Sequence, residues 1–373
     1  MDPLVFPHRE CVCLNARLFW RFGWPARLTR RNSLIANDHP QRSGGEYFPD
    51  LQPAVKLRWR ANYYPENGAS GLDIIDSQVH TWEADTPAYP WRPNYADPQR
   101  VAMVRAHFSE HLFPTHELIA AMDAAGVHAG IATVPSIYGS DNRYALAACA
   151  RYPERLAMIA LPDPDAPDMD AEILRLKAEP AILGVRVMIV SADTLESVQK
   201  GRHRRILAAA ERHGVTMCLY PLNHIQYVRQ IADDFPNLRI VIDHLGHAQP
   251  PVNIGGADFG NMFGGWQHLL DLAACDNIAV KVSAFPAMSS APFPYKDLWP
   301  RIRQLVNVFG VERLFWGTDF TRARPLQSYD QGIRYLRDCP ELTDVEKAAL
   351  MGGSLRRYFN WPAPGWTKPS LAR

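Results

Sequence analysis

Short apolar runs alternate with helix-like stretches along most of this chain, beginning near Gly71. Eight runs are rich in β-branched and other apolar residues: 72–80, 128–135, 156–162, 182–189, 216–221, 239–244, 278–284 and 313–319. The stretches between them space their apolar residues as helices do, and several stop at Gly or Pro. Near-continuous apolar strands are typical of a parallel sheet buried on both faces. The pattern therefore predicts an α/β fold, a (β/α)8 TIM barrel over residues 71–361.

Features outside the strand pattern refine this prediction. No glycine-rich dinucleotide fingerprint follows the first run, which disfavours an open doubly wound sheet. After the eighth run, residues 327–340 and 345–361 have the spacing of closing helices. The connection Thr81–Thr115 is long and rich in Pro and aromatic residues. Long connections in compact domains are usually functional, so we expect it to be a loop that forms a wall of the substrate pocket.

The two ends of the chain differ from the barrel region. Residues 1–70 hold ten Lys and Arg against six Asp and Glu, with stretches rich in Pro, Gly, Asn and Ser. They lack the continuous apolar segment of a secretory signal, and we expect a poorly defined extension there. Residues 362–373 are expected to be a tail. The formal net charge of the whole chain is only +1, which gives no reason to expect nucleic acid or a membrane surface as partner.

Six cysteines are scattered without a CxxC pair: Cys11, Cys13, Cys149, Cys218, Cys275 and Cys339. We interpret them as reduced thiols in small apolar roles, which predicts a cytoplasmic protein. No run of about 18 apolar residues is present, so no membrane span is expected. The sequence does not decide whether the protein forms a homo-oligomer.

Polar residues cluster where the predicted strands end. In a parallel barrel these ends meet at one rim, where catalytic groups of such barrels lie. His80 ends the first run, Arg186 lies in the fourth, His244 ends the sixth and Asp319 ends the eighth. Each residue alone has an ordinary structural explanation, but four such groups converging on one buried rim are costly unless they are used. Period-two alternation also predicts that Asp76, Gln78 and His80 share the lumen-facing side of the first strand.

Several short motifs in this order resemble the amidohydrolase-related family: DSQVHTW, YGSDNRY, GVRV, VIDHLGH, KVSAF, RLFWGTDF and GGSLRRYF. Within that family they are most similar to the lactonase-like branch that includes 2-pyrone-4,6-dicarboxylate hydrolase. The resemblance covers about 290 residues. It implies a distorted barrel that hydrolyses lactones or amides, and catalytic roles for His80, His244 and Asp319.

The chain departs from that family where metals bind. The first-strand motif is often His-x-His, but its first position here is Gln78; the fifth strand carries Tyr220 and no His at its tip, and the fourth has Arg186. A two-metal site therefore lacks ligands. A mononuclear site remains open, with His80, His244, Asp319 and His224 as candidate ligands. We expect either no cofactor or a single divalent metal such as zinc.

The substrate expectation is a small anionic molecule. Asp319 would activate water, His80 and His244 would stabilise the developing oxyanion, and Arg186 would clamp a substrate carboxylate. Further candidate substrate contacts are Gln78, Tyr220, Lys281, Ser140 and Asn142.

Alternatives stay open at this point. Arg186 could instead pair with a carboxylate such as Asp76, and Ser140 and Asn142 could be a turn and helix cap. Asp243 is expected to serve packing or a loop hydrogen bond. A metal-dependent decarboxylase is the alternative reaction, and a catalytically silent metabolite-binding barrel is the alternative of another class.

Overall fold

The computed structural model describes residues 72–93, 98–247, 262–324 and 326–362. The predicted extension 1–70 and the tail lie outside these ranges, apart from Pro362, so both domain boundaries stay predictions. Among the described residues, no helix is long and apolar enough to cross a membrane.

Eight strands form a single sheet in chain order, and each consecutive pair is parallel. This confirms the predicted TIM barrel. The strands are β1 Ile75–Val79, β2 Ala129–Thr133, β3 Leu156–Ala160, β4 Ile182–Met188, β5 Met217–Tyr220, β6 Ile240–Ile242, β7 Ile278–Ser283 and β8 Leu314–Gly317.

Helices of the described ranges follow the strands and surround them. They are α1 Pro98–Glu110, α2 Thr115–Ala125, α3 Arg143–Arg151, α4 Met169–Ala178, α5 Ala192–Lys200, α6 Arg202–Arg212, α7 Val228–Asp234, α8 Trp266–Asp271, α9 Trp299–Phe309, α10 Phe320–Ala323, α11 Tyr329–Arg337, α12 Asp344–Ala348 and α13 Ser354–Phe359. A π-helical segment, Ala349–Gly353, joins α12 to α13.

Local sequence explains where these helices begin and end. Ser191 and Ser328 cap α5 and α11 by accepting a hydrogen bond from the backbone N–H three residues later, in capping boxes. Gly126 ends α2 in the left-handed region, at φ 71°. The spacing of apolar residues in the sequence does not predict α5.

The core has two layers, as expected for strands buried on both faces. The barrel interior is filled by small and branched side chains, and α13 packs against its lower end; this interior cluster comprises Ile75, Ala129, Ile131, Ile159, Cys218, Val241, Ala279, Phe315, Leu355, Tyr358 and Phe359. The alternate strand positions pack outward against the helices. The free thiols Cys149, Cys218, Cys275 and Cys339 are buried.

The junction between β8 and β1 differs from the other seven. Among the described residues, ladder pairing joins each strand to the next from β1 to β8, and none joins β8 back to β1. The N–H of Asp319 instead donates to the carbonyl of Gln78 at 3.0 Å, and the Ser77 hydroxyl donates to the carbonyl of Phe315 at 3.4 Å. We call this junction the β8–β1 seam.

The connection Thr81–Thr115 is not simply a loop, which corrects the prediction. It contains the 13-residue helix α1, none of whose residues is fully buried. Trp82 anchors the segment, since its indole N–H donates to the carbonyl of Phe108 and its ring meets the Phe108 ring edge-to-face. The prolines obscured the helix because four of the five lie before it or at its start, and Pro98 begins it, as Pro often does.

Candidate active site

Three side chains from distant parts of the sequence meet at the carboxyl-terminal rim of the barrel. His80 follows β1, His244 follows β6 and Asp319 follows β8. The Nε2 atom of His80 lies 3.3 Å from Oδ1 of Asp319, and Nε2 of His244 lies 3.9 Å from Oδ2. The Asp319 carboxylate therefore lies between two imidazoles, in a buried position where charge interactions are strong.

The contacts of His80 determine which of its ring nitrogens donates a hydrogen bond. Its Nδ1 lies 2.7 Å from the carbonyl oxygen of Thr133. A carbonyl can only accept, so Nδ1 carries a proton and donates. Nε2 therefore faces Asp319 with a lone pair when His80 is neutral, and with a second proton when it is charged. The ring is suited to receive and return one proton at Nε2.

His244 and Asp319 both occupy the left-handed backbone region, with φ of 53° and 47°. This region is uncommon for residues other than glycine, and it often marks functional positions. The Nδ1 atom of His244 lies 2.9 Å from the Ser283 hydroxyl, and its ring packs edge-to-face on Tyr220 at 5.1 Å. Together these contacts orient Nε2 of His244 toward Asp319.

A buried ionic network lies deeper in the barrel beneath the two imidazoles. Asp243 binds Nε of Arg186 at 2.7 Å and Nζ of Lys281 at 3.0 Å. Lys281 also donates to Oε1 of Gln78 at 2.7 Å. Burial alone would raise the pKa of Asp243, but the Lys281 ammonium and the Arg186 guanidinium hold it well below its usual range. The network thus joins two cations to one carboxylate.

Gln78 connects this network to His80. Its Oε1 accepts from Lys281 and, at 3.2 Å, from the Thr133 hydroxyl. Because Lys281 is only a donor, the amide oxygen must face it, which leaves the amide Nε2 facing Nε2 of His80 at 3.4 Å. The Gln78 amide is therefore an internal link between charged groups.

Comparison with known proteins identifies the family of this chain. The sequence profile of the amidohydrolase family matches residues 75–360. The chain belongs to the amidohydrolase family. It is 24% identical to an L-fucono-1,5-lactonase of Burkholderia ambifaria, across 78% of this chain and 96% of that protein. It is 26% identical to a 4-sulfomuconolactone hydrolase of Hydrogenophaga intermedia, across 56% of this chain and 65% of that protein.

A solved structure shares the amidohydrolase barrel. It is described as a 2-pyrone-4,6-dicarboxylic acid hydrolase of Pseudomonas putida, with a TM-score of 0.59 and 22% identity. The match covers 78% of this chain and 98% of that one. At this identity the likeness establishes the fold.

The side chains of this amidohydrolase that can be described do not form a metal-ligand set. No group of three or more His, Cys, Asp or Glu within the described ranges is arranged to hold a metal ion. Gln78 occupies the first position of the family's His-x-His motif, and Arg186 and Lys281 bring positive charge close to it. His224 precedes the short turn Ile225–Tyr227 and its ring contacts Tyr227. We therefore derive no chemical step through a metal.

The structure places two aspartates differently from the sequence expectation. Arg186 does pair with a carboxylate, but the partner is Asp243 and not Asp76. The expectation that Asp243 serves packing or a loop hydrogen bond was wrong: its carboxylate pairs with two buried cations. The signal was present in the sequence, since Arg186 and Lys281 at lumen positions require a buried anion.

Asp76 does not share the side of Gln78 and His80. The register of β1 against β2 shifts between Asp76 and Val79, as a β-bulge does, and this interrupts the alternation. Asp76 accepts hydrogen bonds from Thr318 and from Tyr329 of α11. Burial raises the pKa of Asp76 to about 6, even though these groups and the Gln78 N–H donate to it.

The remaining candidate contacts divide into two groups. Tyr220 lies at the site, where its hydroxyl donates to the carbonyl of His247 at 3.2 Å. Asn142 has a structural role. Its amide donates to the carbonyls of Ser140 and Leu161 and accepts from the Leu161 N–H. Ser140 lies in the same turn. Asn142 makes no side-chain cap to α3, so its contacts join the loop to the end of β3.

Proposed function

We propose that this amidohydrolase opens a small lactone that carries a carboxylate. The observation that carries the proposal is the Asp319 carboxylate held between Nε2 atoms of His80 and His244, beside two buried cations that share one anion. The lactone-hydrolysing relatives support the reaction class. The Arg186 guanidinium, which binds Asp243 through Nε and keeps 6% of its surface exposed, supports an anionic substrate.

Asp319 is the group placed to activate water. A carboxylate within hydrogen-bond reach of a water molecule can remove its proton as the oxygen attacks the lactone carbonyl. The C–O bond to the attacking oxygen forms, and the carbonyl π electrons move onto oxygen. A donor in a buried site stabilises that oxyanion. His244 supplies it at Nε2 when the Ser283 hydroxyl donates to Nδ1.

His80 is placed to complete the proton transfer. Its Nε2 lies 3.3 Å from Asp319 Oδ1, so the proton taken from water can pass to this nitrogen. When the tetrahedral intermediate collapses, the ring C–O bond breaks and the leaving alkoxide takes that proton. The products are a hydroxy acid and a regenerated site, with no proton gained or lost by the side chains.

Arg186 binds the substrate carboxylate in this proposal, and the fully buried Lys281 supports it by holding Asp243. The guanidinium of Arg186 uses Nε for Asp243. A guanidinium can donate through several N–H groups at once. In this arrangement the lactone carboxylate accepts hydrogen bonds from the Arg186 guanidinium.

A panel assay tests the proposal. Purified full-length protein is assayed on carboxylated lactones, on the same lactones without the carboxylate, and on aromatic carboxylates that could lose CO2. We expect hydrolysis of a carboxylated lactone, and an Asp319→Asn variant that is slower by roughly 10²–10⁴-fold, the usual contribution of a general base. Asp330→Asn, at an exposed carboxylate of α11, is the matched control and should behave as wild type.

Two outcomes would contradict the proposal. Release of CO2 without lactone opening would favour the alternative decarboxylase. Equal rates for wild type and Asp319→Asn on every compound would favour a barrel that binds metabolites without catalysis.

A further inference from the structure

The β8–β1 seam separates the two strands that carry His80 and Asp319. Both residues leave their strands directly at the seam, yet no ladder pairing of described residues fixes β8 against β1. At the other junctions, backbone pairing sets the register. The relative position of His80 and Asp319 must therefore depend on other contacts across the seam.

Asp76 makes the most extensive of these contacts. Its Oδ1 accepts from the N–H of Gln78 at 3.0 Å, on its own strand, and from the N–H of Thr318 at 2.9 Å, at the end of β8. Its Oδ2 accepts from the Thr318 hydroxyl and, at 2.9 Å, from the Tyr329 hydroxyl. The carboxylate is fully buried, and each of its oxygens takes two hydrogen bonds. Such a saturated buried acceptor has a defined geometry.

The residues on either side of this carboxylate lead directly to the site. Thr318 immediately precedes Asp319, whose N–H in turn donates to the carbonyl of Gln78. Gln78 is two residues before His80. One oxygen of Asp76 thus fixes two backbone amides, and each of these amides lies within two residues of a side chain of the candidate acid–base pair.

The two strands approach closely at this level of the seam. A Cβ on Gly317 would lie 2.5 Å from the Ser77 hydroxyl and 3.1 Å from Oδ1 of Asp76. Real Cβ atoms do not approach other atoms so closely, so glycine at this position allows β8 to reach the carboxylate. The sequence therefore permits the short contact that Asp76 needs.

We infer that Asp76 is a positioning residue that helps to set the separation of His80 and Asp319 across the β8–β1 seam. It touches neither the reacting groups nor the substrate, and acts through the backbone of Gln78 and Thr318. The expected loss of rate rests on the proposed function. The role of Asp76 in holding β1 and β8 together does not depend on that function. A displacement of about 1 Å between groups that transfer a proton can cost about a hundredfold in rate.

Substituting Asp76 by asparagine and by alanine distinguishes an effect of the lost hydrogen bonds from an effect of the lost charge. In Asp76→Asn, the amide oxygen can still accept from both backbone N–H groups, while the amide nitrogen donates to the hydroxyls of Thr318 and Tyr329. In Asp76→Ala, both backbone contacts are lost. We expect Asp76→Asn to keep kcat within about threefold of wild type. We expect Asp76→Ala to lose kcat by about 10–100-fold, with a smaller change in KM.

Hydrogen–deuterium exchange gives a readout that needs no substrate. Peptides covering residues 74–80 and 314–322 should exchange faster in Asp76→Ala than in wild type, and Asp76→Asn should match wild type. If no lactone is hydrolysed, the proposed function is wrong. The exchange rates of these peptides then test the role of Asp76 in the seam by themselves.

Three results would overturn the inference. A folded Asp76→Ala with kcat within twofold of wild type would show that the seam does not need the carboxylate. An Asp76→Asn variant as impaired as Asp76→Ala would assign the effect to charge. Tyr329→Phe leaves both contacts to Oδ1 in place and serves if Asp76→Ala does not fold: a tenfold loss of kcat there would show that the hydroxyl, and not the backbone contacts, positions the site.

Discussion

The Lys281 ammonium lies 2.7 Å from the amide oxygen of Gln78 and 3.0 Å from the carboxylate of Asp243, with no exposed surface on Lys281. A charge buried this deeply is tolerated because both partners face it. Its removal would leave the Gln78 oxygen without its strongest donor and Asp243 with Arg186 as its remaining cationic partner.

Lys281→Met should therefore destabilise the barrel. Breaking a buried ion pair by removing one partner costs about 3–5 kcal/mol, because the other charge stays buried. Urea unfolding measures the loss. Lys200→Met removes an exposed lysine that pairs with Glu196 on α5, and should leave the unfolding midpoint unchanged. A Lys281→Met variant as stable as the Lys200→Met control would show that the network contributes little.

Arg186→Gln should weaken binding of the anionic substrate. Hydrogen bonds between charged partners contribute about 1.5–3 kcal/mol, so KM for a carboxylated lactone should rise by roughly 10–100-fold. KM for the matching lactone without a carboxylate should change little. Arg229→Gln, on the exposed side of α7, is the control. Equal effects on both lactones would mean that Arg186 serves the fold and does not recognise the carboxylate.

Chelation should not abolish activity. The described site residues offer two imidazoles and one carboxylate, but Gln78 replaces the family's further His and no metal-ligand cluster forms among them. Dialysis against a chelator, with metal content measured before and after, should leave kcat within about twofold, since proton transfer by Asp319 and His80 needs no metal. Activity that disappears on chelation and returns only with zinc or manganese would contradict the proposed mechanism.

The sequence predicted the barrel well, and predicted the site in part, for identifiable physical reasons. Strands buried on both faces are apolar throughout, so eight of them are visible without a structure. His80, His244 and Asp319 were found because strand ends in a parallel barrel meet at one rim. Position along a strand is enough for that inference.

The two aspartates could not be placed in this way. The side assigned to Asp76 depends on strict alternation, which the register shift in β1 interrupts. The pattern of apolar and polar positions carries no sign of a bulge, because a bulge adds a residue without changing composition. Asp243 directly precedes the left-handed turn at His244, so alternation between these neighbours does not apply either. Charge balance would have been the better guide to Asp243.

Gly317→Ala should disturb the seam at Ser77 and Asp76, since these two residues hold the two atoms nearest to the new methyl. The new methyl would lie 2.5 Å from the Ser77 hydroxyl, and overpacking of this kind costs about 1–3 kcal/mol. We expect lower stability and lower kcat, and a partial recovery of both when Ser77→Ala is added. Gly130→Ala in β2 is the matched control, because its Cβ would meet neighbours at ordinary contact distances of 3.4 Å or more. Failure of Ser77→Ala to relieve the defect would contradict the close approach described for the seam.

The raised pKa of Asp76 predicts a specific dependence of stability on pH. The folded protein holds the Asp76 proton up to about pH 6, whereas the unfolded chain releases it near the ordinary value of 3.8. Between these values the folded state binds more protons, so this group's contribution to the free energy of unfolding falls as pH rises. From about pH 4.5 to 7 the fall is on the order of 2 kcal/mol. Asp76→Asn removes the titration, so urea unfolding should show the variant gaining stability relative to wild type across this range. A difference between the two proteins that stays constant with pH, or changes in the opposite direction, would mean that the four hydrogen bonds outweigh burial and keep Asp76 ionised.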